Sequence, residues 1–374
     1  MRILVVIPTV FGGGAEQVAA ILAREWSGAH EVRVLAWQGP GESLDFGVPV
    51  RFANLGVQQG LARKLRNVWR RVCLVRQEMQ RFRPEVVMAF MDEAGMPCVL
   101  AAATRGELSR LIVSVHHNPQ WMPRWRRILL GLFYRFPAAV VAVSRGVRDE
   151  LVGALHLQPK RLRHIPNPLV TRVVPVEAQS LDVANGLDDR MPNGFLLAVG
   201  RIDRYTKGLD VLIAAYASLP TPRPGLVIVG DGPDRKLVEE DARRAGVEHE
   251  VLFTGWLTDP RPFYRRAALF VLASRYEGWS NVLMEAMGEG CPVVATRCPY
   301  GPPEILGEDL AHLLVAPDDV AALAQGIQMA SALGRAEREA LSLALRERVQ
   351  CFAADKVAAQ WIDLAGTLQG RAST

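Results

Sequence analysis

Two series of short, continuously apolar runs constrain this 374-residue chain more than any other feature. The first series lies at residues 3–7, 32–36, 86–90, 111–115 and 140–143, and the second at residues 195–199, 226–229, 251–253, 269–272 and 292–295. Runs without polar alternation indicate strands buried on both faces, hence parallel sheets covered by helices. The sequence therefore predicts an α/β chain with two doubly wound, Rossmann-like domains.

The stretch between the two series predicts a linker. It is irregular and contains Pro175, Gly186 and Pro192. The chain is also longer than a single core usually supports. We therefore expect a first domain at 1–172, a linker at 173–193 and a second domain at 194–354. Because ligands of open parallel sheets bind beyond the carboxyl ends of the strands, these ends are expected to face each other across a cleft.

Charge is distributed unevenly along the chain. Residues 1–172 contain 24 Lys and Arg against 12 Asp and Glu, whereas the remainder contains 20 against 27. Basic and apolar residues are interleaved at 61–83 and 121–127. Two interpretations stay open: amphipathic helices whose basic faces contact anionic headgroups or a phosphate-bearing acceptor, or solvated faces whose arginine stems cover apolar surface. No nucleic-acid-binding motif accompanies the charge, so nucleic acid is not an expected partner.

Cysteine usage and hydropathy indicate a cytoplasmic location. The five cysteines are odd in number and form no C-x-x-C pair, which fits a reducing compartment. The apolar stretch at 3–10 is shorter than a signal peptide. The stretch at 128–143 is interrupted by Arg135 and Pro137 and falls short of a membrane span. If the basic faces contact headgroups, we expect that contact at the inner face of the membrane.

Two cations lie on the turn that follows the first strand of the second series. Arg201 and Lys207 are flanked by Gly200 and Gly208, which let a ligand approach the backbone. Two cations on one strand-to-helix turn can neutralise a leaving diphosphate. The alternative is a pair of surface cations near an ordinary turn.

A second motif runs from Glu277 to Glu285 and places one carboxylate in a loop and another in the following helix. The helix begins near Ser280, Asn281 and Val282, and its unpaired N–H groups suit a phosphate. Carboxylates accept hydrogen bonds from hydroxyls, so Glu285 could hold a ribose and Glu277 a transferred sugar. The alternative places Glu277 in a plain turn and Glu285 in a solvated helix pair.

The ordered set of motifs resembles family 4 of the retaining GT-B glycosyltransferases. The matching residues are Gly13-Gly14-Ala15-Glu16, Gly200-Arg201, Lys207-Gly208, Gly230-Asp231-Gly232-Pro233 and the two glutamates eight residues apart. The resemblance implies that Arg201 and Lys207 bind the donor diphosphate, that Glu285 binds the ribose and that Glu277 contacts the donor sugar. It also implies that the last helix, about 355–374, completes the first domain.

The resemblance extends to weaker positions. Gly13 and Gly14 match a loop that approaches the donor from the other domain, although a plain strand-to-helix turn also explains them. His116 matches a histidine that reaches the donor sugar, and the adjacent His117 stays an alternative. Gly232 and the start of the helix at 280–282 are assigned to donor binding. Ser144 matches a family position, although a helix N-cap also explains it. Glu304 ends a stretch that resembles the family's loop near the donor sugar and is a secondary candidate, although a normal helix start also explains it.

The resemblance implies transfer of a hexose or N-acetylhexosamine from a nucleotide sugar, with UDP favoured, to a lipid-linked oligosaccharide or lipopolysaccharide intermediate. The sequence contains no D-x-D pair, so neither a metal nor another cofactor is expected. Three rivals remain. A nucleotide-sugar epimerase of this fold would turn over without an acceptor, a dehydrogenase would need the absent G-x-G-x-x-G fingerprint, and a non-catalytic scaffold would need none of these charged residues.

Overall fold

The computed structural model describes residues 1–11, 13–39, 44–55, 61–170 and 194–372. The chain divides into two compact units. The first unit comprises Met1–Val173 and Phe352–Thr374, and the second comprises Val174–Cys351. The predicted linker at 173–193 lies outside the described residues.

The first unit contains a parallel sheet in the order β3-β2-β1-β4-β5-β6-β7. Its strands are β1 (Arg2–Ile7), β2 (Glu31–Ala36), β3 (Val50–Phe52), β4 (Val86–Phe90), β5 (Leu111–Val115), β6 (Ala139–Ala142) and β7 (Leu162–His164). The helices that follow them are α1 (Gly14–Ser27), α2 (Leu61–Phe82), α3 (Asp92–Ala103), α4 (Arg124–Phe133) and α5 (Arg145–Gly153).

The second unit contains a parallel sheet in the order β10-β9-β8-β11-β12-β13. Its strands are β8 (Phe195–Val199), β9 (Gly225–Val229), β10 (Val251–Gly255), β11 (Leu269–Leu272), β12 (Val293–Thr296) and β13 (Leu314–Val315). Its helices are α6 (Leu209–Ala217), α7 (Arg235–Arg244), α8 (Arg261–Arg266), α9 (Asn281–Glu289), α10 (Pro302–Leu306), α11 (Val320–Ser331) and α12 (Arg335–Val349).

The last helix, α13 (Ala354–Ala372), belongs to the first unit. Trp26 of α1 donates its indole N–H to the carbonyl oxygen of Ala358 at 3.1 Å. The ring of Trp361 lies 6.3 Å from that of Trp26 and 5.4 Å from that of Phe90, centroid to centroid. Aromatic packing therefore ties the end of the chain to α1 and β4.

Strand order fixes where each sheet can hold a ligand. In both sheets the order reverses beside the first strand of the unit, between β1 and β4 in the first and between β8 and β11 in the second. Helices on opposite faces diverge at such a point and leave a crevice at the carboxyl ends. The loops that follow β8 and β11 carry Lys207 and Glu277.

The ten predicted strands are confirmed, with ends that differ by one or two residues. Three further strands, β3, β7 and β13, were not predicted. Each is only two or three residues long and lies at the edge of its sheet, so it pairs on one side alone. Such short segments carry too few apolar residues to form a recognisable run. Within the described ranges, no helix combines the length and apolarity needed to cross a membrane.

Candidate functional site

Close backbone packing shapes the turns beyond β8 and β9. A Cβ atom on Gly232 would lie 2.2 Å from the carbonyl oxygen of Ile202, so only glycine allows these two turns to touch. On the other side, Gly208 has a φ of +60°, and a Cβ there would lie 2.1 Å from the carbonyl oxygen of Ala273. The turn that carries Arg201 and Lys207 is thereby held between the ends of β9 and β11.

The centre of the site is a contact between Lys207 and Glu277, which lie 70 residues apart in the chain. The Lys207 ammonium donates to Oε1 of Glu277 at 2.8 Å, and the Ser274 hydroxyl donates to the same oxygen at 2.8 Å. The side chain of Glu277 is 8% exposed and that of Lys207 is 26% exposed. Glu277 is therefore a largely buried carboxylate that accepts two side-chain hydrogen bonds, and not a solvated residue of a plain turn.

Arg201 lies beside this contact. It lines one small cavity together with Lys207 and Ser274, and its own side chain is exposed. Both predicted cations therefore lie on the turn beyond β8 and line the same small cavity.

The amino end of α9 borders the loop that carries Glu277. Ser280 is the N-cap residue, but its side chain makes no capping hydrogen bond. Its hydroxyl oxygen is buried and has no hydrogen-bond partner in the described structure. Asn281 and Val282 begin the helix, whose first backbone N–H groups have no intrahelical acceptors. A buried hydroxyl and an uncapped helix start together form an anion-binding arrangement.

Glu285 lies one turn into α9 and is partly buried. The hydroxyl of buried Tyr264 donates to its Oε2 at 3.0 Å. Burial raises the pKa of Glu285 to about 7, against the lowering effect of the Tyr264 bond; Asp259 and Glu289 raise this pKa and Arg261 lowers it. The alternative of a solvated helix pair is wrong for Glu285, because its partner is a buried phenol from α8.

A cluster around Arg275 was not predicted from the sequence. Its guanidinium, 8% exposed, donates to Asp210 at 2.8 Å and to Asp318 at 2.6 Å. It also donates to the carbonyl oxygen of Tyr205 at 2.9 Å, two residues before Lys207. The bonds to Asp210 and Asp318 raise the pKa of Arg275. This clamp holds the turn that presents Lys207, and its partners lie too far along the chain for a local motif to reveal them.

The glycine turn of the first unit packs on a buried carboxylate. A Cβ atom on Gly13 would lie 2.3 Å from Oε2 of Glu16, and Thr9 donates its hydroxyl to Oε1 of Glu16 at 2.5 Å. Burial raises the pKa of Glu16. Gly14 is the first residue of α1. A side chain at position 13 would therefore displace the Glu16 carboxylate, and the donor contact of Gly13 stays a prediction.

The structure separates the two histidines that follow β5. His116 Nε2 lies 2.9 Å from the Ser114 hydroxyl, and its ring packs at 5.8 Å from that of Phe90. Burial lowers the pKa of His116 to about 3, so the ring is neutral at physiological pH. The side chain of His117 is 40% exposed, with Nε2 at 3.9 Å from Oδ1 of Asp92. His116 is the packed member of the pair and His117 the more open one.

Two smaller points complete the site. The N-cap interpretation of Ser144 is confirmed, since its hydroxyl accepts from the Val147 N–H at 3.1 Å. Among the described residues, no three His, Cys, Asp or Glu side chains are grouped as a metal site would require.

Family comparisons agree with the fold of the two units. Residues 12–172 match the model described as Glycosyltransferase Family 4, and residues 194–332 match that described as Glycosyl transferases group 1. The two matches cover one unit each and account for most of the chain. The protein belongs to the GT-B glycosyltransferases of family 4 type, and the predicted fold class is confirmed.

Particular relatives share parts or all of this architecture. An N-acetylgalactosaminyltransferase of Campylobacter jejuni that acts on N-acetylgalactosamine-N,N'-diacetylbacillosaminyl-diphospho-undecaprenol is 30% identical over 61% of this chain and 62% of its own length. A second C. jejuni α-1,4-N-acetylgalactosaminyltransferase, named for a GalNAc-GalNAc-diNAcBac-PP-undecaprenol substrate, is 24% identical over 97% and 98% of the two chains. The crystal structure of Anabaena HepE with UDP and glucose superposes with a TM-score of 0.80 at 20% identity, covering 98% of this chain and all of that one.

Proposed function

We propose that this protein is a retaining glycosyltransferase that moves an N-acetylhexosamine or hexose from a UDP-sugar to a lipid-linked glycan. The observation that carries the proposal is the contact of Lys207 and Ser274 with Glu277 at the β8–β11 crevice. It sets a cation and a sugar-binding carboxylate next to each other, as the two sides of a breaking bond between sugar and phosphate require.

The phosphate side of the site consists of Arg201, Lys207 and the amino end of α9. Negative charge grows on the diphosphate as it leaves, and fixed cations and N–H groups at that position lower the barrier most. The unpartnered hydroxyl of Ser280 supplies one further donor to a phosphate oxygen. These groups would do the work that a divalent ion does in other sugar transferases, so we propose that no metal is required.

The sugar side consists of the two glutamates. Glu277 keeps acceptor capacity on Oε2, since its bonds from Lys207 and Ser274 both use Oε1. That oxygen can accept from a hydroxyl of the transferred sugar. Glu285, steadied by Tyr264, can accept from the vicinal hydroxyls of a ribose.

The proposed reaction proceeds on one face of the sugar. The acceptor oxygen forms a bond to the anomeric carbon while the bond from that carbon to the phosphate oxygen breaks. The leaving phosphate oxygen takes the acceptor proton, and configuration is retained. Lys207 and Arg201 stabilise the nucleoside diphosphate that is released.

The comparisons support the choice of donor and acceptor. HepE was crystallised with UDP, and both Campylobacter relatives are named for N-acetylgalactosaminyl transfer to undecaprenol diphosphate-linked sugars. We therefore favour a UDP-N-acetylhexosamine donor and a polyprenyl diphosphate-linked acceptor over a lipopolysaccharide intermediate. The reaction would take place at the cytoplasmic face of the membrane.

The test is a transfer assay with a panel of UDP-sugars and a polyprenyl diphosphate-linked glycan, in the presence of EDTA. We expect UDP release that depends on the acceptor. With an α-linked donor the product should also be α-linked, as measured by the NMR coupling constant of its anomeric proton. A β-linked product would exclude retention, and loss of activity in EDTA would exclude the metal-free proposal. Isomerisation of the donor without acceptor would identify an epimerase, and absence of turnover with every donor would favour a binding scaffold.

A further inference from the structure

One face of α4 and its flanking residues carries large apolar side chains that are about half or more exposed in the described structure. The exposed fractions are 54% for Trp121, 63% for Trp125, 70% for Ile128, 48% for Leu132 and 47% for Phe136. Their spacing of three or four residues places Trp125, Ile128 and Leu132 on one helix face, with the other two at its ends. We call these five residues the outer stripe. A contiguous apolar surface of this kind marks an interaction site.

The exposure of the outer stripe follows from how the opposite face of α4 is held. Arg126 donates from Nε to Oδ2 of Asp92 at 2.7 Å and from Nη2 to Oε1 of Glu93 at 3.2 Å. Leu130 is fully buried and Tyr134 is 1% exposed. Rotating α4 to bury the stripe would break the bonds of Arg126 to α3 and expose both apolar residues. The outer stripe therefore faces away from the first unit, since the opposite face of α4 packs against its core.

The segment that carries the stripe has charges of one sign, and its Arg126 is paired with Asp92 and Glu93 of α3. Residues 121–136 contain four arginines and no Asp or Glu. Arg124 and Arg135 are exposed beside the stripe. A symmetric dimer through this surface would bring the same cations from both copies together, which is unfavourable. A surface that combines exposed tryptophans and aliphatic side chains with arginines complements an anionic bilayer, where Trp rings occupy the headgroup level.

We infer that the outer stripe docks the protein on the surface of an anionic lipid bilayer. The aliphatic side chains enter the boundary of the acyl region, and Arg124 and Arg135 contact lipid phosphates. The stripe begins at Trp121, five residues after His116 at the end of β5. Docking therefore brings lipid headgroups beside the strand ends of the first unit. The contact requires neither donor nor acceptor, so it can be tested independently of the proposed function.

The experiment measures partitioning of the full chain onto vesicles of phosphatidylcholine alone or with 30–40% phosphatidylglycerol, a composition chosen as roughly that of an anionic membrane. The test variant is Ile128→Glu, and the matched control is Leu343→Glu, which adds the same charge to an apolar side chain that is 58% exposed on α12. A second pair compares Arg124→Gln with Arg335→Gln, whose side chain is 93% exposed. Thermal unfolding and UDP binding of each variant show whether it is folded.

We expect wild type to bind anionic vesicles and to bind phosphatidylcholine at least about tenfold more weakly, with release at high salt. Ile128→Glu should weaken anionic binding by about tenfold or more, as expected when an isoleucine-sized side chain is kept out of an apolar phase. Leu343→Glu should stay within about twofold of wild type, the size of a surface change.

Several outcomes would overturn the inference. Wild type could fail to bind anionic vesicles at low salt, or Ile128→Glu could bind as well as Leu343→Glu. Loss of binding in Trp69→Glu alone would assign the contact to α2, where Trp69 is 61% exposed. Self-association in sedimentation that Ile128→Glu abolishes, without vesicle binding, would identify a second copy as the occupant.

Discussion

The pairing of Lys207 with Glu277 leads to opposite expectations for two substitutions. In the free protein the Lys207 ammonium is engaged by Glu277 at 2.8 Å, so a bound diphosphate must compete with that carboxylate. Glu277→Gln keeps the shape and the hydrogen-bonding oxygen but removes the competing charge. It should leave UDP affinity unchanged or increase it by up to about tenfold, whereas Lys207→Gln should weaken it by about tenfold to a hundredfold.

The magnitude follows from the contact. Two unit charges 2.8 Å apart attract by about 6 kcal/mol at an effective dielectric of about 20, before desolvation is subtracted. Water reaches the Lys207 side chain, which is 26% exposed, and Ser274 still bonds Glu277 when Lys207 is replaced. Solvation and this remaining bond therefore offset most of that attraction. A hydrogen bond to a charged group contributes about 1.5–3 kcal/mol net, and we expect the coupling energy between the two side chains to lie in this range.

The assay is a double-mutant cycle on urea unfolding, combined with calorimetric titration of UDP and with the rate of sugar transfer. Both single variants should lose about a hundredfold or more in turnover, since each removes an interaction with the reacting groups. The matched control is the pair Arg335–Glu339 on α12, whose Nε–Oε1 distance is 2.9 Å but whose side chains are 93% and 66% exposed. Its coupling energy should be below about 0.5 kcal/mol.

Either of two results would contradict this expectation. If Glu277→Gln lost UDP affinity as strongly as Lys207→Gln, the carboxylate would be part of the phosphate site instead of its competitor. A coupling energy no larger than that of the control pair would show that the 2.8 Å contact does not exist in solution.

Three further predictions concern the groups that support the site. Tyr264→Phe removes a bond that favours the charged form of Glu285 and so raises the pKa of this carboxyl above about 7. UDP-sugar affinity falls as Glu285 is protonated, so on acidification it should begin to fall at a higher pH in the variant than in wild type. An unchanged pH profile would contradict the assignment. Because the pKa of Glu285 is raised, the native state holds a proton that the unfolded state releases, and Glu285 lowers the stability of the fold as pH rises from about 4.5 to 7. Glu285→Gln should therefore increase the free energy of urea unfolding by about 1–3 kcal/mol at pH 8 and leave it unchanged at pH 4. An equal effect at both pH values would exclude this linkage. Gly232→Ala places a Cβ against the Ile202 backbone and should lower the unfolding free energy by about 1–3 kcal/mol while weakening UDP binding, whereas a variant as stable as wild type would show that the turns do not touch.

The sequence predicted the buried parts of the fold better than its edges. Strands such as β1 and β5, whose residues 3–7 and 111–113 are fully buried, produce apolar runs that identify them without any structure. The edge strands β3 and β13 are only partly buried, and their formation depends on a neighbouring strand already being in place. The local sequence pattern therefore predicts the buried strands, whereas the pairing of edge strands depends on tertiary contacts.

The same distinction holds within the site. Lys207, Glu277 and Glu285 could be singled out because charged residues beside glycines and at a helix start have a local reason to bind phosphate and hydroxyl groups. The roles of Ser274, Tyr264 and Arg275 could not be predicted, because each acts on a residue that the fold brings close. The orientation of His116 toward Ser114, with His117 left more open, likewise depends on packing against Phe90 and not on the order of residues.

Hydrogen–deuterium exchange upon addition of UDP-sugar tests most directly whether the crevice between β8 and β11 holds the donor diphosphate. Slower exchange is expected in peptides covering 200–208 and 278–286, because the backbone N–H groups at the start of α9 would then donate to phosphate. Unchanged exchange in both peptides under saturating ligand, or protection confined to other parts of the chain, would contradict the account.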